Sequence, residues 1–310
     1  MKLLNFNFKI YFVNIKMNKE YIYKIIDNKI NELNTDIIIK IINYDFNDNL
    51  KSLYNALKLN NSITTIFLYK YKLNFNFNQE KTIQNLIEEI SKVINYNHNI
   101  SKLIIKGSNK NAAMSYGFTL KNLNPIFETL QFNTSIKELD ISYCWIDTFF
   151  NDECDISIDD YMLENDNINQ IIENAPFYKM LLTNKTLTTL NINNCLIEMR
   201  HFGSPIFHIF SKENEFKLFN KILQQTNIKS LNIKDCVISK NILIDLIENN
   251  KRLETLTFSI WTTEYNKKDE DLKEFYSLMK NQSKIKELNI FYNINIYLYY
   301  NEELITIRNN

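Results

Sequence analysis

Ile136-Lys-Glu-Leu139-Asp-Ile141-Ser-Tyr-Cys144-Trp-Ile146 sets Leu139 and Ile141 two residues apart, with an apolar residue three positions upstream and another beyond the cysteine. Spacing by two puts both side chains on one side of an extended strand. The spacing returns at Leu187-xx-Leu190-x-Ile192-xx-Cys195-x-Ile197 and Ile228-xx-Leu231-x-Ile233-xx-Cys236-x-Ile238. It returns without the cysteine at Leu253-xx-Leu256-x-Phe258 and Ile285-xx-Leu288-x-Ile290-xx-Asn293, and in weaker form at Ile63-xx-Ile66-x-Leu68 and Ile100-xx-Leu103-x-Ile105. Apolar residues at helical spacing precede these segments: Leu50, Leu53 and Leu57; Ile83, Leu86, Ile87, Ile90 and Ile94; Leu243, Leu246 and Ile247; Leu272, Phe275 and Met279. Strand and helix in alternation predict a parallel sheet. Units this short cannot bury their apolar side alone and must stack.

The segments resemble the L-x-x-L-x-L-x-x-N/C-x-L repeat of the leucine-rich-repeat family, in its ribonuclease-inhibitor-like form, over about residues 50–300. The resemblance implies an α/β fold, a leucine-rich-repeat solenoid (horseshoe) with parallel strands on the concave face and helices on the convex face. Successive starts lie 37, 36, 51, 41, 25 and 32 residues apart, longer than the family's roughly 20–29. The surplus is expected in an insert near 147–167 and another around 198–215. The organisation expected is one continuous solenoid domain: an N-terminal cap with a degenerate repeat at 1–49, repeats at 50–293, and a C-terminal cap at 294–310. Within the caps, Leu4 to Phe12 alternate as a strand would, Ile22 to Leu33 follow helical spacing, and Ile37 to Ile42 suggest a further strand.

The chain has 310 residues, 45% of them apolar, with 36 basic and 36 acidic side chains and only three glycines. Zero net charge argues against a general nucleic-acid binder, whose affinity comes from surplus Lys and Arg. The balance hides a polarity. Residues 1–135 hold 17 Lys and 10 acids, net +7; residues 136–310 hold 19 Lys/Arg and 26 acids, net −7. A drift in surface composition accounts for this, and so does a dipolar surface that steers a partner. The first residues lack the apolar run of a signal peptide, and no stretch approaches the roughly 18 apolar residues of a membrane span. With four cysteines, no disulfide framework is indicated, so a cytoplasmic protein is expected.

Motifs for chemistry are sparse. Cys144, Cys195 and Cys236 share the ninth repeat position and are expected to be small buried ladder residues. Only Cys154 lies outside it, among acids that should dull its reactivity. Asp155, Ser157, Asp159 and Asp166 fall at ligand positions of an EF-hand loop, but Asp160 stands where that loop needs glycine. The acidic insert is therefore expected to be a solvated loop or a docking patch. His98, His201 and His208 have no metal-ligand spacing, and no glycine-rich phosphate loop exists. Neither cofactor nor metal nor enzymatic activity is expected. N-x-S/T sequons occur at Asn60, Asn99, Asn133, Asn184 and Asn281. Asn60, Asn133 and Asn184 each stand three residues before a repeat's first apolar residue, a turn position where Asn is expected for its tolerance of left-handed geometry.

In the family the residues flanking the buried apolar pair face outward from the sheet. One row is then Phe67, Ile104, Asp140, Asn191, Asn232, Thr257 and Asn289; the next is Tyr69, Lys106, Ser142, Asn193, Lys234, Ser259 and Phe291. Partner-binding candidates are Phe67, Tyr69, Lys106, Asp140, Ser142, Asn191, Asn193, Asn232, Lys234, Thr257, Asn289 and Phe291. Aromatics at such a surface serve as anchors. The expected function is a non-enzymatic scaffold binding a protein partner on the concave face, with no nucleic acid and no membrane. Two alternatives follow by family analogy. A ubiquitin-ligase substrate adaptor needs an F-box, and residues 17–50 lack its Leu-Pro opening. A GTPase-activating protein has no matching residues here, and the acidic tail of the Ran-directed members is absent.

Overall fold

The computed structural model describes residues 9–12, 35–41, 50–61, 63–70, 77–107, 118, 120–142, 144–146, 175–193, 196–197, 219–236, 240–262, 267–281, 284–296 and 299–308. The chain divides into two compact units, Met1–Trp145 and Ile146–Asn310.

In the first unit, strands β1 (Lys9–Phe12), β2 (Thr35–Ile41), β3 (Ile63–Lys70), β4 (Lys102–Lys106) and β5 (Glu138–Asp140) alternate from β2 onward with helices α1 (Leu50–Leu59), α2 (Phe77–Tyr96) and α3 (Leu120–Leu130). All four strand pairings are parallel. The register lines up the repeat's apolar residues: Ile37, Ile66, Leu103 and Leu139 form one ladder, and Ile39, Leu68 and Ile105 a second. Strand β4 alternates half-buried and buried residues, as a strand with one face on a core must. The core opposite is the apolar stripe of α2 (Ile83, Leu86, Ile87, Ile90, Val93, Ile94) and of α3 (Leu123, Ile126, Phe127, Leu130), all buried. Each such side chain contributes about 1.5–3 kcal/mol on leaving water.

The second unit repeats the scheme. Helix α4 (Pro176–Thr183) opens with proline at its first position, where a missing N–H costs nothing. Strands β6 (Thr189–Asn191), β7 (Ser230–Ile233), β8 (Thr255–Thr262) and β9 (Glu287–Ile296) pair in parallel, and β10 (Tyr299–Arg308) returns antiparallel on β9. Helical residues 219–223 and helices α5 (Lys240–Asn249) and α6 (Lys267–Asn281) lie between them in sequence. Leu190, Leu231, Leu256 and Leu288 align, with Ile307 opposite the last. Ile242, Leu243, Leu246 and Ile247 of α5 and Phe275 and Met279 of α6 are buried. The protein is thus an α/β repeat with mostly parallel strands, compatible with a leucine-rich-repeat type of fold.

The turn asparagines have a different basis from the one their backbone tolerance suggests. Asn184 is extended, with φ −67° and ψ 128°, and among the described non-glycine residues only Asp235 has positive φ, at 58°. The side chains explain the choice. Asn133 Oδ1 accepts the N–H groups of Ser135 and Ile136 at 2.9 and 2.7 Å, while its Nδ2 donates to Ile94 O, in the preceding repeat, at 2.9 Å. Asn184 Oδ1 accepts from Thr186 and Leu187. Asn97 and Asn250 hold the same position. Asn97 Nδ2 donates to Leu57 O and Asn60 O, both at 2.7 Å, and Asn250 Oδ1 accepts from Arg252 and Leu253. All five asparagines, Asn60 included, are buried. Each satisfies backbone groups that the helix-to-strand turn would leave orphaned.

The cysteine ladder is present where it is described. Cys144 Sγ lies 3.6 Å from Ile105 O and Cys236 Sγ 3.3 Å from Ile192 O, each a carbonyl of an earlier repeat. Both thiols are buried. Cys154, Cys195, His201, His208 and the acidic insert at 152–166 lie outside the described residues.

Candidate functional site

The sheet face turned away from the helices carries the residues that flank each apolar pair. In the first unit Phe67, Ile104 and Asp140 stand in register on β3, β4 and β5, and Tyr69 pairs with Lys106. Phe67 and Ile104 are half-buried. Ion pairs cross from β4 to β5: Lys102 to Glu138 at 2.7 Å and Lys106 to Asp140 at 3.2 Å. Asp140 also accepts the N–H of Ser142 at 3.0 Å.

Two of the candidate contact residues in the first unit are not surface. Ser142 is 0% exposed and Asp140 6%. Asp140 spends its carboxylate on the turn and on Lys106, and Ser142 offers a partner no area. Their assignment as contact residues is therefore corrected, and Lys106 is tied to its own sheet.

In the second unit Asn191, Asn232, Thr257 and Asn289 align across four strands, and β10 adds Thr306. The first four are half-exposed. Adjacent strands lie about 4.8 Å apart, so the row from β6 to β9 runs roughly 14 Å. Its members are held: Asn289 Nδ2 donates to Thr257 Oγ1 at 3.5 Å and Glu287 Oε1 at 2.9 Å, and Thr306 Oγ1 donates to Asn289 Oδ1 at 2.8 Å. Asn193 and Asn232 both accept the N–H of Lys234 at 3.1 Å. In the second row Lys234 Nζ sits 3.7 Å from the centre of the Phe291 ring. Ser259 between them in register is 1% exposed and bonds to Asp235. Lys234 and Phe291 are thus one cation–π element rather than two separate anchors. Beyond it, Leu304 stands opposite Phe291 and is 54% exposed.

Leu304 and Thr306 were not singled out in the sequence, although the alternation of Ile305 and Ile307 with polar residues signals a strand. A second omission lies at the strand starts of the same unit. Lys185, Lys229, Lys251, Arg252, Lys284 and Lys286 surround a concavity of about 640 Å³, with Glu254 the one acid in its lining. The signal was the recurrence of Lys and Arg on either side of each repeat's first apolar residue. Lys286 and Lys229 bond Glu254 at 2.7 and 2.9 Å and hold its carboxyl down at about 2.

Among the described residues no group of His, Cys, Asp and Glu could hold a metal ion, and no helix is long and apolar enough to cross a membrane.

No sequence-family model matches the chain, and no curated protein matches it. Among solved structures the chain is similar to Leiomodin-1 Actin-Binding Site 2 (ABS2), with 15% identity and a TM-score of 0.37, over 68% of this chain and 90% of that one.

Proposed function

We propose that this protein is a non-enzymatic scaffold of the leucine-rich-repeat, ribonuclease-inhibitor-like type. It binds a protein partner on the sheet face turned away from its helices and acts in the cytoplasm. The observation that carries the reading is the row Asn191, Asn232, Thr257 and Asn289: four half-exposed polar side chains in register on four parallel strands. Such a row presents donors and acceptors at fixed spacing. Side-chain bonds already hold Asn232, Thr257 and Asn289, so a partner orders few groups on binding. The Lys234–Phe291 pair and Leu304 supply apolar area beside it.

The test is capture from the native cell with the full chain and two variants. Asn191→Glu with Asn232→Glu is expected to lose the partner, while Glu248→Ala with Lys273→Ala, at exposed positions on α5 and α6, keeps it. Loss through the helix variant alone would place binding on the other side.

A further inference from the structure

The basic concavity at the strand starts of the second unit holds more cations than its structural contacts use. The fold does not require lysine there. In the first unit the residues flanking each first apolar residue include Asn61, Thr64, Asn99 and Ser101, all uncharged, and Lys137 is the exception. Six cations around one carboxylate repel one another, and Glu254 offsets only part of that. Several are already positioned: Arg252 donates to Thr226 O at 2.8 Å and to Asn227 Oδ1 at 3.0 Å, and Lys185 to Leu182 O at 3.0 Å. Lys251 and Lys284 are exposed and make no ion pair among the described residues.

We propose that this concavity docks an extended acidic peptide segment of the protein partner. The proposal rests on the protein-binding reading above and names the chemistry of the partner. The cations are spread over the starts of four strands, roughly 14 Å, which suits about four to five residues of extended chain and not a single small anion. Glu254 lies in the middle of the array and stays ionised. A phosphodiester strand would bring phosphate against it. A peptide can instead turn a backbone N–H toward it while its own carboxylates reach Lys251 and Lys284.

The experiment is fluorescence anisotropy of the full chain with a labelled 12-residue peptide of alternating Glu and Ser. Binding is expected to weaken about tenfold with Lys251→Glu plus Lys284→Glu, because two attractions become two repulsions. It is expected to weaken as salt rises, and to be at least about tenfold weaker for the peptide with Gln in place of Glu. Circular dichroism checks folding, and Lys251→Gln plus Lys284→Gln serves if the reversed pair misfolds. Glu248→Ala plus Lys273→Ala should leave peptide binding within about twofold. Partner capture is read on Asn191→Glu plus Asn232→Glu and peptide binding on the lysine pairs, so the two readings fail separately. Peptide binding that ignores both lysine pairs, or equal binding of the Gln peptide, would overturn the proposal. So would tighter, Lys251- and Lys284-dependent binding of inositol hexakisphosphate or a 12-nucleotide oligothymidylate, which would make the concavity a phosphate site.

Discussion

Replacing Asn133 separates two explanations of the turn asparagine. If Asn is there for left-handed backbone, Asn133→Gly should be neutral or slightly stabilising, because glycine is freest in that region. If it is there for its side chain, glycine loses everything. Asn133 makes three hydrogen bonds with backbone groups, to Ser135, Ile136 and Ile94, at a site 7% exposed. Each is worth about 0.5–1.5 kcal/mol net, and stranding a buried partner costs about 1–3 kcal/mol. Asn133→Ala should therefore destabilise the protein by about 3 kcal/mol, and Asn133→Gly by at least as much, since glycine adds unfolded-state entropy. Asn133→Asp keeps the acceptor but loses the donor to Ile94 O. The assay is urea unfolding followed by circular dichroism, with the midpoint shift read at constant slope. A glycine variant as stable as the parent would refute the hydrogen-bond account.

Cys144 and Cys236 should resist thiol reagents in the folded protein, and Cys236→Ser should cost about 1–3 kcal/mol in the same melts, because its hydroxyl would be imperfectly bonded against Ile192 O. Tyr292 is buried and donates to Asp271, which also pairs with Lys240; burial first, then Asp271, pushes the phenol up, and bonds to Asp271 and Glu274 raise Lys240. Both groups favour their protonated forms in the folded state, so their contribution is whole below pH 10 and lost as pH rises beyond it; Tyr292→Phe should flatten that alkaline loss in melts at stepped pH. Glu254 runs the other way: its folded value of about 2 lies below the ordinary 4.5, so stability it adds above pH 4.5 disappears as pH falls toward 2, and Glu254→Gln should remove that part of the acid limb.

The repeat was legible because its period of two puts Leu103 and Leu139 on one face in the first unit, and Leu190 and Leu231 on one face in the second, and register within each unit follows from aligning them. Helical stripes such as Leu243, Leu246 and Ile247 were equally plain. Contacts between repeats were not. Asn97 bonds to carbonyls 37 and 40 residues away, and its position was hidden behind sequons that start at other asparagines. Register does not report burial: Asp140 and Ser142, read as outward-facing, fold inward on a turn of their own, and Ser259 is covered as well. The basic strand starts were masked because their charge is averaged away by the acids of residues 136–310. Strand β10 carries no repeat motif, so only its short alternation marked it.

Site-specific photocrosslinking tests the central claim most directly. A photoreactive phenylalanine placed at Asn232, on the outward face of β7, should capture the partner in the native cell, and the same group at Glu248, on the exposed side of α5, should not. Capture from position 248 with none from position 232 would contradict binding on the sheet face.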